Sequence, residues 1–73
     1  MPLITLRTLE GLLTPEQKKT MIERLTDAAL SVEGSAFRSV AWVIIEEIPS
    51  GAWGMGGQTL TTEAARKMAM AGG

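Results

Sequence analysis

The chain has no cysteine and no histidine among its 73 residues. Without cysteine there are no disulfides and no thiolate metal ligands. Without histidine a zinc site would rest on carboxylates alone, a poor donor set. Serine–histidine and cysteine–histidine schemes fail outright. Long apolar runs are missing too: the longest, Val40–Ile45, is far below the roughly 20 residues that cross a bilayer. The seven Lys and Arg residues are scattered and the net charge is −1. No basic stripe with interleaved aromatics marks a nucleic-acid surface. The first residues, Met1-Pro2-Leu3-Ile4, carry no positive n-region, so no secretory signal is expected and the reading is a soluble, cytoplasmic chain. Neither nucleic acid nor membrane is expected as a partner, and no cofactor or metal is implied.

What is present is apolar and short. One domain over residues 1–73 is the expected organisation. A chain of this length leaves about 40% of its unfolded surface exposed even when folded. With disulfides and metals excluded, association with other subunits is the remaining staple. A hydrophobic content of 45% agrees, so an oligomer is expected.

The segment Leu3–Leu9 alternates: Leu3, Thr5, Arg7 and Leu9 on one side, Ile4, Leu6 and Thr8 on the other. This period of two predicts a strand. Thr14-Pro15-Glu16-Gln17 then offers an N-cap threonine, proline at the first helical position and glutamine at N3, a capping box. Met21, Ile22, Leu25, Ala28, Ala29 and Val32 form an apolar face, which predicts a helix over 15–32 stopped by Gly34. Val40–Ile45 reads as a strand buried on both faces, the habit of parallel pairing. Strand, helix and strand make a right-handed βαβ unit. Pro49, Gly51, Gly54, Gly56 and Gly57 mark a turn-rich stretch with room for a short hairpin. Thr61 or Thr62 would cap a terminal helix from Glu63 to Met70. The fold class is α/β.

Candidate chemistry is sparse. Gly54-Met55-Gly56-Gly57 lacks the lysine of a phosphate loop and opens no helix. Glu46 and Glu47 are adjacent on a strand, so their side chains diverge and share no acid–base site. There remains Pro2. A small second residue normally permits removal of the initiator methionine, which would expose Pro2 as a secondary amine. An α-amine titrates near 8 in model peptides, and burial or a nearby cation lowers that value. A base for neutral pH is thus available without histidine. If Met1 stays, Pro2 is an amide nitrogen and cannot act as a base.

Met1-Pro2-Leu3-Ile4, Leu9-Glu10-Gly11, Thr14-Pro15-Glu16-Gln17-Lys18, Val43-Ile44-Ile45-Glu46-Glu47 and Trp53-Gly54-Met55-Gly56-Gly57 follow one another in an order and spacing that resembles the 4-oxalocrotonate tautomerase family. The resemblance covers residues 2–58. It implies a βαβ subunit with a C-terminal hairpin, assembled as a hexamer of dimers. It also implies an amino-terminal proline that shuttles a proton within a small unsaturated keto acid or its dienol. Pro2 matches that proline. Trp53 matches an aromatic position that shields the site, and the backbone near Leu9 matches a segment lining the pocket.

Two departures qualify the resemblance. Members of the family carry an arginine directly after Leu-Glu-Gly, where this chain has Leu12. A second arginine lies four residues before the paired acids, where this chain has Trp42, or Ala41 if a gap falls one residue differently. None of these side chains stabilises an anion, and a lost charge at a developing oxyanion costs several kcal/mol. Low efficiency on 2-hydroxymuconate is therefore expected. Arg38 or Arg7 could approach from a neighbouring subunit, or a second tautomerase-like chain could supply arginines to a mixed hexamer in which this chain is weakly active. A third route is a less anionic substrate held by backbone N–H groups and tryptophans. Arg7 and Arg38 read equally as ion-pair residues, Trp42 as a core or interface residue, and Trp53 as an interface plug.

Overall fold

Residues 1–72 are described in the computed structural model of the chain. Strand β1, Leu3–Leu9, leads through the Glu10–Leu13 turn into helix α1, Pro15–Glu33. A short 3-10 helix, Ser35–Val40, connects to strand β2, Trp42–Ile48. Strands β3, Trp53–Met55, and β4, Gln58–Leu60, precede helix α2, Thr62–Ala71. β1 and β2 pair in parallel with Leu3 opposite Trp42 and Leu9 opposite Ile48, while β3 and β4 form an antiparallel hairpin. Gly56 and Gly57 both have positive φ, the geometry that two-residue hairpin turns with matching twist demand.

The start of α1 follows its sequence closely. The Thr14 side chain accepts from the Gln17 N–H, and the Gln17 side chain accepts from the Thr14 N–H, so both members of the capping box are made. Gly34, with φ of 112°, ends the helix, and its N–H goes back to the Leu30 carbonyl. Thr61 caps α2 by accepting from the Ala64 N–H at 3.1 Å.

Two expectations need correction. β2 begins at Trp42 rather than Val40, because Val40 closes the 3-10 turn and the Ala41 N–H bonds back to the Arg38 carbonyl. It also runs on through Glu46, Glu47 and Ile48, and it is not buried on both faces. Trp42, Ile44 and Glu46 are exposed in alternation with Val43, Ile45 and Glu47, since a single helix covers only one side of a two-stranded sheet. The buried stripe of α1 is also rotated from the one expected. Leu30 is buried at 5% exposure while Val32 is 88% exposed, and Lys18, Met21, Leu25 and Ala29 lie on the half-buried side with Leu30.

Only Leu9 and Leu30 are buried among the described residues. The outer face of the sheet presents Leu3, Trp42 and Ile44 to solvent. The radius of gyration is 14.8 Å, against about 11 Å for a self-contained globule of this length. Among the described residues, no helix is long and apolar enough to cross a membrane.

The sheet is tied to α1 by charge. Lys18 pairs with Glu47, and the Gly11 N–H donates to Glu47 Oε2 at 3.2 Å. The Lys18 hydrogen bond above all, and the Gly11 N–H after it, hold the Glu47 carboxyl below its ordinary value of 4.5, with desolvation acting in the opposite direction. A lowered folded-state pKa gives stability that is present above the ordinary value and lost as pH falls through the lowered one. Glu47→Gln is therefore expected to lower the melting temperature by a few degrees near neutral pH. The gap to the parent should close as the pH drops below 4.5. A gap of constant size from neutral to acid pH would refute this linkage.

Candidate active site

Parallel pairing fixes where each candidate residue lies. Pro2 stands at the head of β1, and its carbonyl accepts from the Trp42 N–H at 3.0 Å. Trp42 heads β2 and is 64% exposed. Arg38 lies in the 3-10 turn just before it and donates to Asp27 on α1 at 2.5 Å. Pro2, Arg38 and Trp42 thus share one end of the strand pair.

Leu9 lies at the other end. Seven residue steps along a strand separate it from Pro2, about 23 Å at the usual rise. Leu9 is 3% exposed, so its side chain belongs to the core. At this end a hollow of about 230 Å³ is lined by Leu9, Leu12, Trp53, Leu60 and Met68 among others. Leu9 and Trp53 therefore come together, but neither reaches Pro2 within one protomer.

The expected cations are committed. Arg7 Nε donates to Glu46 Oε2 at 2.9 Å across the outer face of the sheet, and Arg38 is held by Asp27. Glu46 and Glu47 diverge as expected, one to Arg7 and the other to Lys18. The Met1 ammonium lies 3.2 Å from Glu33 Oε1, at the C-terminal end of α1. No cluster of acidic residues among those described could hold a metal ion.

The sequence reading passed over Arg66. Its Nη2 donates to the Gly11 carbonyl at 2.8 Å, beside Leu12. The available signal was the spacing of Thr62 and Arg66, four residues apart and so on one face of α2. Thr62 Oγ1 donates to the neighbouring Glu10 carbonyl at 2.8 Å.

The parallel βαβ unit with an appended antiparallel hairpin is the fold this chain shares with solved 4-oxalocrotonate tautomerase homologues. The family model described as Tautomerase enzyme matches residues 2–63, and the chain belongs to this family. A probable tautomerase from Ralstonia nicotianae is 44% identical over 57 residues, which is 78% of this chain and 79% of the relative. Among solved structures, apo unfused 4-OT aligns with a TM-score of 0.74 at 33% identity, covering 90% of this chain and 98% of that one. TomN, a 4-oxalocrotonate tautomerase homologue in the tomaymycin biosynthetic pathway, aligns with a TM-score of 0.73 at 34% identity, covering 93% and 95%.

Proposed function

We propose that the chain is an isomerase that interconverts keto and enol forms of a small unsaturated 2-keto acid, with Pro2 as the proton carrier once Met1 has been removed. The neutral ring nitrogen takes a proton from the dienol or from the carbon beside the carbonyl, leaving a delocalised dienolate. The resulting prolinium returns that proton to a different carbon, so no atoms or electrons are gained or lost. No metal or cofactor is required for the step.

The observation that carries this reading is the fixed position of Pro2. Its carbonyl is held in the β1–β2 ladder by Trp42, so trimming Met1 would leave the amine at a strand head rather than on a loose arm. A base must be neutral to act. Burial against a neighbouring copy would remove water from the amine and favour that neutral form. Such a neighbour has a surface to use in the outer face of Leu3, Trp42 and Ile44. It would also bring its own Leu9 and Trp53 end to the Pro2 of this copy, in a homohexamer or a smaller closed assembly.

The direct test compares one preparation before and after treatment with methionine aminopeptidase, with the terminus defined by intact mass. Ketonisation of phenylenolpyruvate is expected to appear only in the trimmed protein. Equal rates with and without Met1 would exclude the amine as the base.

A further inference from the structure

We infer that Ala65 and Met68, on the C-terminal helix, make the Leu9–Trp53 end of the site a seat for an uncharged, ring-sized end of the substrate. The inference rests on the tautomerase reading above. It narrows the substrate to 2-keto acids that carry one carboxylate and an apolar far end. The hollow of about 230 Å³ is lined by Leu9, Leu12, Trp53 and Leu60, and by Ala65 and Met68 from α2. None of its lining residues is charged, and the Thr8 hydroxyl and Trp53 indole are their only side-chain hydrogen-bond donors. Its volume exceeds the roughly 150 Å³ at which an apolar cavity takes up benzene. A second carboxylate buried there would lose its water without finding a partner. A ring or branched chain would lose only apolar hydration, which favours binding. Arg66 offers the carboxylate no remedy, since it stands outside the lining and donates to the Gly11 carbonyl at 2.8 Å.

The helical wall is fixed in place rather than carried on a loose tail. Thr62 Oγ1 donates to the Glu10 carbonyl at 2.8 Å, and the Thr62 N–H donates to Ser50 Oγ at 2.9 Å. Ser50 is held in turn, its N–H donating to Glu10 Oε1 at 3.1 Å. One turn further along α2, Arg66 makes its bond to Gly11. Glycine is needed for this close seating: a Cβ at Gly11 would stand 3.1 Å from Arg66 Nη2 and 3.3 Å from Thr62 Cγ2.

Ala65 and Met68, three residues apart, are neighbours on the helix surface and both meet the hollow. Met68 is 60% exposed, so it is free to close on a ligand and open to substitution without cost to the core. Its flexible thioether suits the edge of an aromatic ring. Both residues lie beyond residue 63, where the family match stops.

The test uses the trimmed full chain and two acids without a reactive enol. One is trans-cinnamate, with a phenyl far end, and the other is trans,trans-muconate, with carboxylates at both ends. Calorimetry should find cinnamate bound about tenfold or more tightly than muconate. Ala65→Leu fills the hollow from its helical wall and should weaken cinnamate binding about tenfold. Met68→Ala removes an apolar contact and should weaken it about fivefold. Met68→Lys places a cation in the wall and should shift preference towards muconate. In turnover, Ala65→Leu should raise KM for phenylenolpyruvate with little change in kcat, the signature of lost uniform binding. No cinnamate binding by the parent, muconate bound as tightly as cinnamate, or cinnamate affinity unmoved by all three variants would each overturn the assignment. So would native mass spectra in which Ala65→Leu breaks up the assembly, marking the hollow as the seat of a neighbouring copy. Cinnamate binding that responds to these variants in a parent without turnover would sustain the assignment and refute the proline mechanism. Turnover that depends on Pro2, with binding indifferent to Ala65 and Met68, would do the reverse.

Discussion

Trimmed protein carrying Pro2→Ala is expected to lose about 10²- to 10⁴-fold in kcat on phenylenolpyruvate or 2-hydroxymuconate, the range that positioned general bases contribute. Alanine keeps an α-amine at the same place in the chain, so the comparison isolates the ring. Proline's ring locks φ and with it the direction of the nitrogen lone pair relative to β1. The amine of alanine turns freely about its Cα and spends little time aimed at the reacting carbon. Misplacement of this kind is costly because near-attack geometry accounts for much of the rate. The pairing of Trp42 with the Pro2 carbonyl does not depend on the ring, so the variant should assemble and melt like the parent. A variant that ketonises as fast as the parent would end the proposal.

The second large effect is expected from Ile44→Asp, on the outer face of the sheet. In a lone protomer Ile44 is 39% exposed, and a carboxylate there would be tolerated. Pressed against a neighbouring copy, it would be an unpaired charge taken out of water, at an effective cost of several kcal/mol repeated in every copy. Native mass spectrometry should therefore find the variant as single protomers or small fragments of the parent assembly. Activity should fall with the assembly, since about 23 Å of strand separates Pro2 from Leu9 within one chain. An unchanged assembly mass would show that this face is not where copies meet. Full activity in isolated protomers would show that the two ends need not meet.

Much of the architecture was legible because it rests on local signals. The alternation from Leu3 to Leu9 gave β1 its limits, and Thr14 to Gln17 gave α1 a start that matches its hydrogen bonds. Paired positive-φ glycines made the hairpin turn. What misled was the apolar run Val40–Ile45. Hydrophobicity marks what is taken from water, not where a ladder begins, and the ladder here extends onto Glu46 and Glu47 because Arg7 and Lys18 meet them. The same limit applies to the stripe of α1, where Val32 is apolar yet open to solvent. If copies pack on these faces as proposed, such residues would look, in one chain, like a core in the wrong place.

The candidate site was legible only in part. Pro2 stood out by elimination, and Leu9 with Trp53 by resemblance. That these fall at opposite ends of the sheet follows from parallel pairing, which the βαβ reading already contained. Arg66 was hidden because its relation to Gly11 spans 55 residues and depends on how α2 docks, which no local pattern encodes.

The separation of Pro2 from the Leu9 and Trp53 end of the chain also bears on inheritance. Where each site borrows its two halves from different copies, a damaged chain still serves its neighbours. A chain spoiled at the Trp53 end would disable an intact neighbour's proline while its own proline could still serve. Cells expressing both alleles should then keep about the activity the intact allele supplies by itself, and two differently damaged alleles should partly rescue each other.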